Sequence, residues 1–323
     1  MKDAQTLDEP LLNRAAHFLR KAGPKAFLYK CWLVARQRLS GPSRRKQKEA
    51  ENRLYLEKLE SLTVKDGHVT VPVLGFQMKL RADDLGLSKQ IILHGIREEG
   101  AVRYLQPLLG SFKTILEIGA NQGYYAILEA LNTPPDARIY AIEPHPDNVA
   151  TLRLNAEHNK CTHKFAEILQ AAVSDRTGTA SLHVHRLSNW HSLSPIELSA
   201  EGWQENIEVP TVTLDEFCRT RNLETVDFVR MDVEGHEAEI IKGANRILRQ
   251  SPKCVLFIEL HSTLLRQAGH QPEDLLRQIQ ELGFTSATVC GKHDHFRVPD
   301  WDHLVRNLEL LTGKYGAHLF FHK

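Results

Sequence analysis

The chemistry-bearing residues of this chain gather in two short segments. The first, Ile115-Leu116-Glu117-Ile118-Gly119-Ala120-Asn121-Gln122-Gly123, is an apolar run that enters a turn with glycines four positions apart. Such a turn lets a ligand approach backbone amides at close range. It departs from the Gly-x-Gly-x-x-Gly of dinucleotide folds, and a pyrophosphate there would meet the Glu117 carboxylate. A cationic ligand suits it better, and a nicotinamide-dependent oxidoreductase is disfavoured. Glu143 follows Gly123 by 20 residues, at the end of the next apolar run. There a carboxylate can accept hydrogen bonds from a ribose diol, which places a nucleoside beside the turn.

The second segment, Val226-Asp227-Phe228-Val229-Arg230-Met231-Asp232-Val233-Glu234-Gly235-His236-Glu237, closes an apolar run with three carboxylates and an imidazole. Glu237 alone is explained as favourable charge at a helix start. Asp232 and Glu234 fall in the turn beside the expected pocket, where perturbed carboxylates do chemistry. Phe257-Ile258-Glu259-Leu260-His261 ends a further apolar run and brings His261 to the same edge. Asp232, Glu234 and His261 are each candidates for a general base. The remaining histidine groupings, His183 with His185 and His293-Asp294-His295, lack a complete ligand set, so no metal is expected.

These segments need a scaffold that brings strand ends together. The chain has 323 residues, 42% hydrophobic and 25% charged, which suits a folded globular protein and excludes wholesale disorder and coiled-coil composition. From Val64 to Leu80 alternating valines with turn signals at Asp66-Gly67 and Leu74-Gly75 read as a hairpin, and residues 88–109 as helical. Strands are then expected at Thr114–Ile118, Arg138–Glu143, Ile168–Val173, Val226–Met231, Val255–Leu260, Thr285–Cys290 and Ala317–Phe321, with helices starting near Gly123, Pro146, His236 and Pro272. This alternation implies a doubly wound α/β sheet, with an inserted hairpin strand at Gly178–His185 and a strand Val209–Thr213 leading into a Leu214–Arg219 helix.

At this point a resemblance becomes specific. The Glu117–Gly123 turn, Glu143-Pro144, Thr213-Leu214-Asp215, Asp232–Glu237 and Lys242-Gly243-Ala244 resemble the FkbM family of S-adenosylmethionine-dependent methyltransferases. The resemblance spans roughly residues 95 to 265 and implies a seven-stranded Rossmann-like sheet with the last strand antiparallel. It also implies S-adenosylmethionine as cofactor and methyl transfer to a hydroxyl of a sugar, glycan or small natural product. By that analogy Gly119, Asn121 and Gly123 contact the methionine portion, Glu117 supports its ammonium group, Glu143 holds the ribose and Ala172-Val173-Ser174-Asp175 borders the adenine. Ser188-Asn189-Trp190-His191-Ser192 would form the acceptor wall, with Trp190 available to stack on a sugar.

The domain organisation expected is a basic helical extension and linker over residues 1–60 and a methyltransferase domain over 61–323. Between Leu11 and Lys48 there are eleven Lys and Arg and no Asp or Glu, although the net charge is only +1. A basic amphipathic helical pair over Leu11–Leu39, followed by a Gly41–Lys48 linker, is compatible with peripheral contact on anionic membrane. The acidic balance after residue 60 makes nucleic acid unlikely, which disfavours an RNA ribose methyltransferase. Five scattered cysteines without a C-x-x-C pair fit a reducing, cytoplasmic setting. A non-catalytic cofactor-binding scaffold is the other alternative.

Overall fold

Apolar runs bounded by turn residues become thirteen strands among the described residues of a computed structural model, which describes residues 42–194, 203–298, 300–308 and 316–323. The helical pair expected over 11–39 lies outside them. Contacts divide the chain between Glu57 and Lys58. On the N-terminal side, the described residues belong to a helix Pro42–Glu60. This replaces the linker expected over Gly41–Lys48, because a proline pre-sets φ at a helix start and the Arg, Lys, Gln, Glu and Ala that follow are good helix formers.

In the larger unit, β1 (His68–Val73) and β2 (Phe76–Arg81) form the hairpin, turning at Leu74 and Gly75, both at positive φ. The hairpin is tied to helix Pro146–His158 by Asn155, which accepts from the Lys79 N–H at 2.7 Å and donates to its carbonyl at 2.9 Å. The helical stretch expected at 88–109 is two helices, Leu87–His94 and Glu99–Leu109, separated at Gly95.

The remaining strands are β3 (Thr114–Ile118), β4 (Arg138–Ile142), β5 (Phe165–Leu169), β6 (Ala172–Val173), β7 (Gly178–His185), β8 (Trp203–Val212), β9 (Phe228–Met231), β10 (Val255–Leu260), β11 (Ser286–Cys290), β12 (His295–Arg297) and β13 (Ala317–His322). Eight of them form one sheet in the order β12-β11-β13-β10-β9-β3-β4-β5. β10, β9, β3, β4 and β5 are parallel, and β13 runs antiparallel between β10 and β11. This is the Rossmann-like methyltransferase arrangement, with β12 added at one edge. The expected strand Ile168–Val173 is split. Phe165–Leu169 joins the main sheet, whereas Ala172 turns away to pack with Leu182, Val184 and Val209 in a second sheet of order β6-β8-β7.

Parallel strands covered on both faces need apolar side chains throughout. Leu116, Ile118, Val229, Met231, Leu256 and Ile258 accordingly lie in one core cluster with Ile240, Ile241, Ile247 and Leu248 of the helices that follow β9. Two polar features serve this scaffold locally. Thr213 caps helix Leu214–Thr220, and Asp215 accepts from the backbone N–H groups of Arg246 and Ile247 at the start of helix Asn245–Gln250.

Register sets the site. Ile118 pairs with Ile142 on one side and Met231 on the other, and Met231 pairs with Ile258. The residues that follow, Gly119, Glu143, Asp232 and Glu259, therefore emerge along one sheet edge. The chain winds outward from β3 through β4 to β5 and then returns to β9 on the other side of β3. The crevice at such a reversal, outside the carboxyl ends of the strands, is where open α/β sheets bind ligands.

Candidate active site

The turn after β3 is built for close approach. Gly119 has φ +74°, and a Cβ there would lie 2.1 Å from the Asp232 carbonyl oxygen, so only glycine lets the ends of β3 and β9 meet. Asn121, at φ +49°, donates its N–H to Glu143 Oε2 at 2.9 Å and its Nδ2 to the Ser188 carbonyl at 3.0 Å. Glu143 Oε1 accepts from the His145 N–H at 2.9 Å and from Asn148 Nδ2 at 3.2 Å. Burial raises the Glu143 carboxyl above its usual range, against the pull of those backbone donors.

A cavity occupies the crevice. Ile118, Gly119, Asn121, Ile142 and Glu143 line one side, Ala171–Val173 an end, and Asp232–Glu234 the side beyond β9. Ser188, Asn189 and His191–Leu193 complete its lining. The structure thus brings Gly119, Asn121, Glu143, Ala172, Asp232 and Glu234 together around one space. Glu117, Gly123 and His261 lie outside this lining. The Gly123 requirement comes from packing instead: its φ is +95°, and a Cβ would lie 2.4 Å from Leu152 Cδ1 on the neighbouring helix. Glu117 is fully buried against Arg230, 2.7 Å away. Trp190 packs against the His185 ring at 5.2 Å.

Behind Asp232 runs a buried network of charges. Arg230 bonds Glu117 and, at 3.1 Å, Asp232, with its guanidinium 3.9 Å over the Tyr125 ring. Arg97 contacts Glu98, lies 3.5 Å from Glu259 and 3.8 Å from Asp232. His318 is 3.1 Å from Glu98 and 3.7 Å from Glu259. Carboxylates outnumber the arginines here, and protons make up the shortfall. Burial, strengthened by nearby carboxylates, pushes Asp232 up to about 6 and Glu117 up to about 7 against their arginine partners. Burial and Glu117 carry Glu129 well above the carboxyl range.

His261 is gripped by three carboxylates: Glu237 at 3.2 Å from Nδ1, and Glu259 at 3.4 Å and Glu234 at 3.6 Å from Nε2. Burial opposes its charge, but Glu234, Glu259 and Glu237 win and hold it well above the usual histidine range. A histidine already protonated is no free base. Glu234 is the opposite case: burial, with Asp232 and Glu259, raises it to about 8 although His261 pulls it down. That value lies near neutral pH, where a general base works best. Asp232, Glu234 and His261 each bring a ligand-type atom within 4.8 Å of the others, so a divalent cation could be held there if His261 gave up its proton.

Sequence reasoning missed the cations of this site. Arg230 was legible as the single charge within an otherwise apolar strand, two residues before Asp232 and therefore on the same strand face. Arg97 and His318 carry no such local signal, since the fold alone brings positions 97, 259 and 318 together. Asp84 is likewise tertiary: its carboxylate accepts from Gly86, Ser88, Gln122 and Ser188 and ties the segment at Ser188 to the turn.

Comparison with known proteins adds the following. The model of the methyltransferase FkbM domain matches residues 117–286. The 2-O-methyltransferase NoeI of Sinorhizobium fredii is 30% identical over 42% of this chain and 59% of its own length. The chain therefore spans less than two thirds of that relative. The hexuronic acid methyltransferase AglP of Haloferax volcanii is 26% identical over 62% of this chain and 75% of its own. Among solved structures, a methyltransferase FkbM from Methylobacillus flagellatus is 13% identical over 84% of this chain and 59% of its own, with a TM-score of 0.39.

Proposed function

The chain belongs to the FkbM methyltransferase family, and from that premise we propose that it is an S-adenosylmethionine-dependent O-methyltransferase acting on a sugar or glycan hydroxyl. The observation that carries this reading is the cavity at the β3–β9 reversal. It joins a glycine turn and a buried strand-end carboxylate, Glu143, to a titratable pair, Asp232 and Glu234. The two relatives support the acceptor class through their names, one specifying 2-O transfer and the other hexuronic acid.

The residues present fit this cofactor. Gly119 and Glu143 both line the cavity, the three donors on Glu143 leave it one acceptor direction, and Ile142, Ala172, Val173 and Leu182 give an apolar bed for a base. When bound, S-adenosylmethionine supplies a methyl carried on a sulfonium. Asp232, at the same edge, is ionised above about pH 6, where Arg230 and Arg97 oppose the burial that raises it, and its negative charge favours that cation. Glu234 takes the acceptor hydroxyl proton. His261 positions Glu234, itself held by Glu237 and Glu259, and as a cation stabilises the ionised carboxylate that must receive the proton. Holding the acceptor oxygen at about 3–3.5 Å in line with the transferred carbon supplies much of the rate.

Four described cysteines, Cys161, Cys218, Cys254 and Cys290, are free and buried, which supports a reducing, cytoplasmic setting. Among the described residues no helix is long and apolar enough to cross a membrane. Through the eleven basic residues of 11–48 the enzyme meets anionic lipid, so that phosphatidylserine vesicles should retain the full chain but not a variant with those residues neutralised.

The test of the whole reading is a thermal-shift titration with S-adenosylhomocysteine against NAD, followed by radiolabelled methyl transfer to uronic acid and neutral oligosaccharides. Saturation at 100 times Kd adds about 2.7 kcal/mol of stability. A shift with S-adenosylhomocysteine alone and label on a sugar are expected. Binding without transfer to any hydroxyl would favour the scaffold reading, and transfer to RNA would favour a ribose methyltransferase.

A further inference from the structure

The segment that contributes Ser188–Leu193 to the cavity lining is held at both ends and carries one unsatisfied donor. At its start, Ser188 donates its N–H to Asp84 Oδ1 at 2.9 Å and its hydroxyl to Oδ2 at 2.8 Å, while its carbonyl takes Asn121 Nδ2. At its end, Ser192 pairs with the His183 backbone and donates its hydroxyl to the Glu234 carbonyl at 3.3 Å. Between these anchors, the His191 ring stacks on His145 with centroids 4.4 Å apart and planes 26° from parallel. His145 in turn donates its N–H to Glu143. His191 therefore sits one ring away from the carboxylate assigned to the ribose.

The proton on His191 can be located. Its Nδ1 lies 3.1 Å from the His185 backbone nitrogen, which can only donate. Nδ1 thus keeps its lone pair, and the ring's proton is on Nε2. Burial, with His145, Arg81 and His185 adding to it, lowers the ring to about 3, so it is neutral at any working pH. Nε2 is shut off from solvent and has no hydrogen-bond partner among the described residues, while the ring lines the cavity. A buried N–H left unpaired is costly, and such groups are normally satisfied.

We propose that His191 is a cofactor-binding residue whose Nε2–H donates a hydrogen bond to an acceptor atom of the adenosine half of S-adenosylmethionine, making Ser188–Leu193 a strap over the cofactor and not a wall of the acceptor site. This rests on the cavity being the cofactor site. A neutral, orientation-fixed donor selects for an atom with a free lone pair, a ring nitrogen or a ribose oxygen, and against an amino group.

The experiment measures Kd for S-adenosylhomocysteine and its 1-deaza, 3-deaza, 7-deaza, 2′-deoxy and 3′-deoxy analogues, in wild type and in His191→Phe. One analogue, lacking the accepted atom, should lose about tenfold or more in wild type and nothing further in the variant, the signature of a removed pairwise contact. His191→Phe should itself bind S-adenosylhomocysteine several-fold more weakly. Unchanged binding in His191→Phe, or analogue losses identical in both proteins, would overturn the proposal, as would a rise confined to the acceptor KM. Wild type that is folded yet binds no S-adenosylhomocysteine would instead remove the cofactor reading itself. If His191→Phe does not fold, 15N-histidine spectra of the wild type decide: S-adenosylhomocysteine must shift the His191 Nε2 resonance, assigned with His191→Asn, while the tautomer stays fixed.

Discussion

Glu143→Gln tests the cofactor site through a count of lone pairs. A carboxylate has about four acceptor directions. Asn121, His145 and Asn148 fill three of them, so one remains for a ribose hydroxyl. A hydrogen bond to a charged group contributes about 1.5–3 kcal/mol, equivalent to about 10–150-fold in Kd. Glutamine keeps the shape but turns one oxygen into an NH2, which must face either the Asn121 N–H or the donors of His145 and Asn148. One donor is then set against another, and the loss should fall in the upper part of that range. Calorimetric titration with S-adenosylhomocysteine gives the affinity, and the melting midpoint shows whether the turn is retained. Because one acceptor direction is free, a large loss on wild type that vanishes in the variant should appear with only one of the 2′-deoxy and 3′-deoxy ligands. An S-adenosylhomocysteine Kd within about threefold of wild type, less than one hydrogen bond is worth, would refute the ribose role.

Other expectations follow from the same geometry. If Glu234 is the base, the kcat/KM for S-adenosylmethionine rises with pH through about 8, and the kcat midpoint is lower because the bound sulfonium favours the ionised form; a profile flat from pH 6 to 9 counts against it. His261→Ala should lower kcat about tenfold or more while leaving S-adenosylhomocysteine affinity in place, and should move the pH–rate midpoint upward, since the cation that pulls Glu234 down is gone; an unmoved midpoint would end the positioning role. Gly119→Ala forces a Cβ onto the Asp232 carbonyl at positive φ, so the melting midpoint should drop by several degrees and cofactor binding should be lost; normal binding would mean the β3–β9 approach is looser than described. Glu234 at about 8 and His318 at about 10 hold protons that the unfolded chain releases near 4.5 and 6.5. Stability from both is therefore full at low pH and lost as pH rises, Glu234's between about 5 and 8 and His318's between about 6.5 and 10, so a melting midpoint that climbed from pH 7 to pH 10 would contradict the assignment.

Much of this was legible locally. Strand, turn, helix and acid in the order of Glu117–Gly123 and Glu143 specify a β-turn-α unit, and the apolar runs locate the parallel strands because their burial on both faces leaves few polar positions. Three features were hidden from the sequence for tertiary reasons. Ala172-Val173 look like the continuation of a strand, since propensity cannot tell which of two sheets a short apolar run will join. His261 reads as a base when only its position is known; the three carboxylates that protonate it come from residues 234, 237 and 259. Ser188–Ser192 reads as a loop free to meet an acceptor, because its anchor, Asp84, lies 104 residues earlier in the chain.

The placement of β13 carries one more consequence. β11 and β12 touch the main sheet only through β13, which lies between β11 and β10. In hydrogen-exchange terms β11, β12 and β13 should open as one cooperative unit, because releasing β13 leaves the β11–β12 pair with no ladder to the rest of the sheet. That opening would also carry His318 away from Glu98 and Glu259, so amide protection at one end of the sheet becomes a reporter of charge balance behind Asp232.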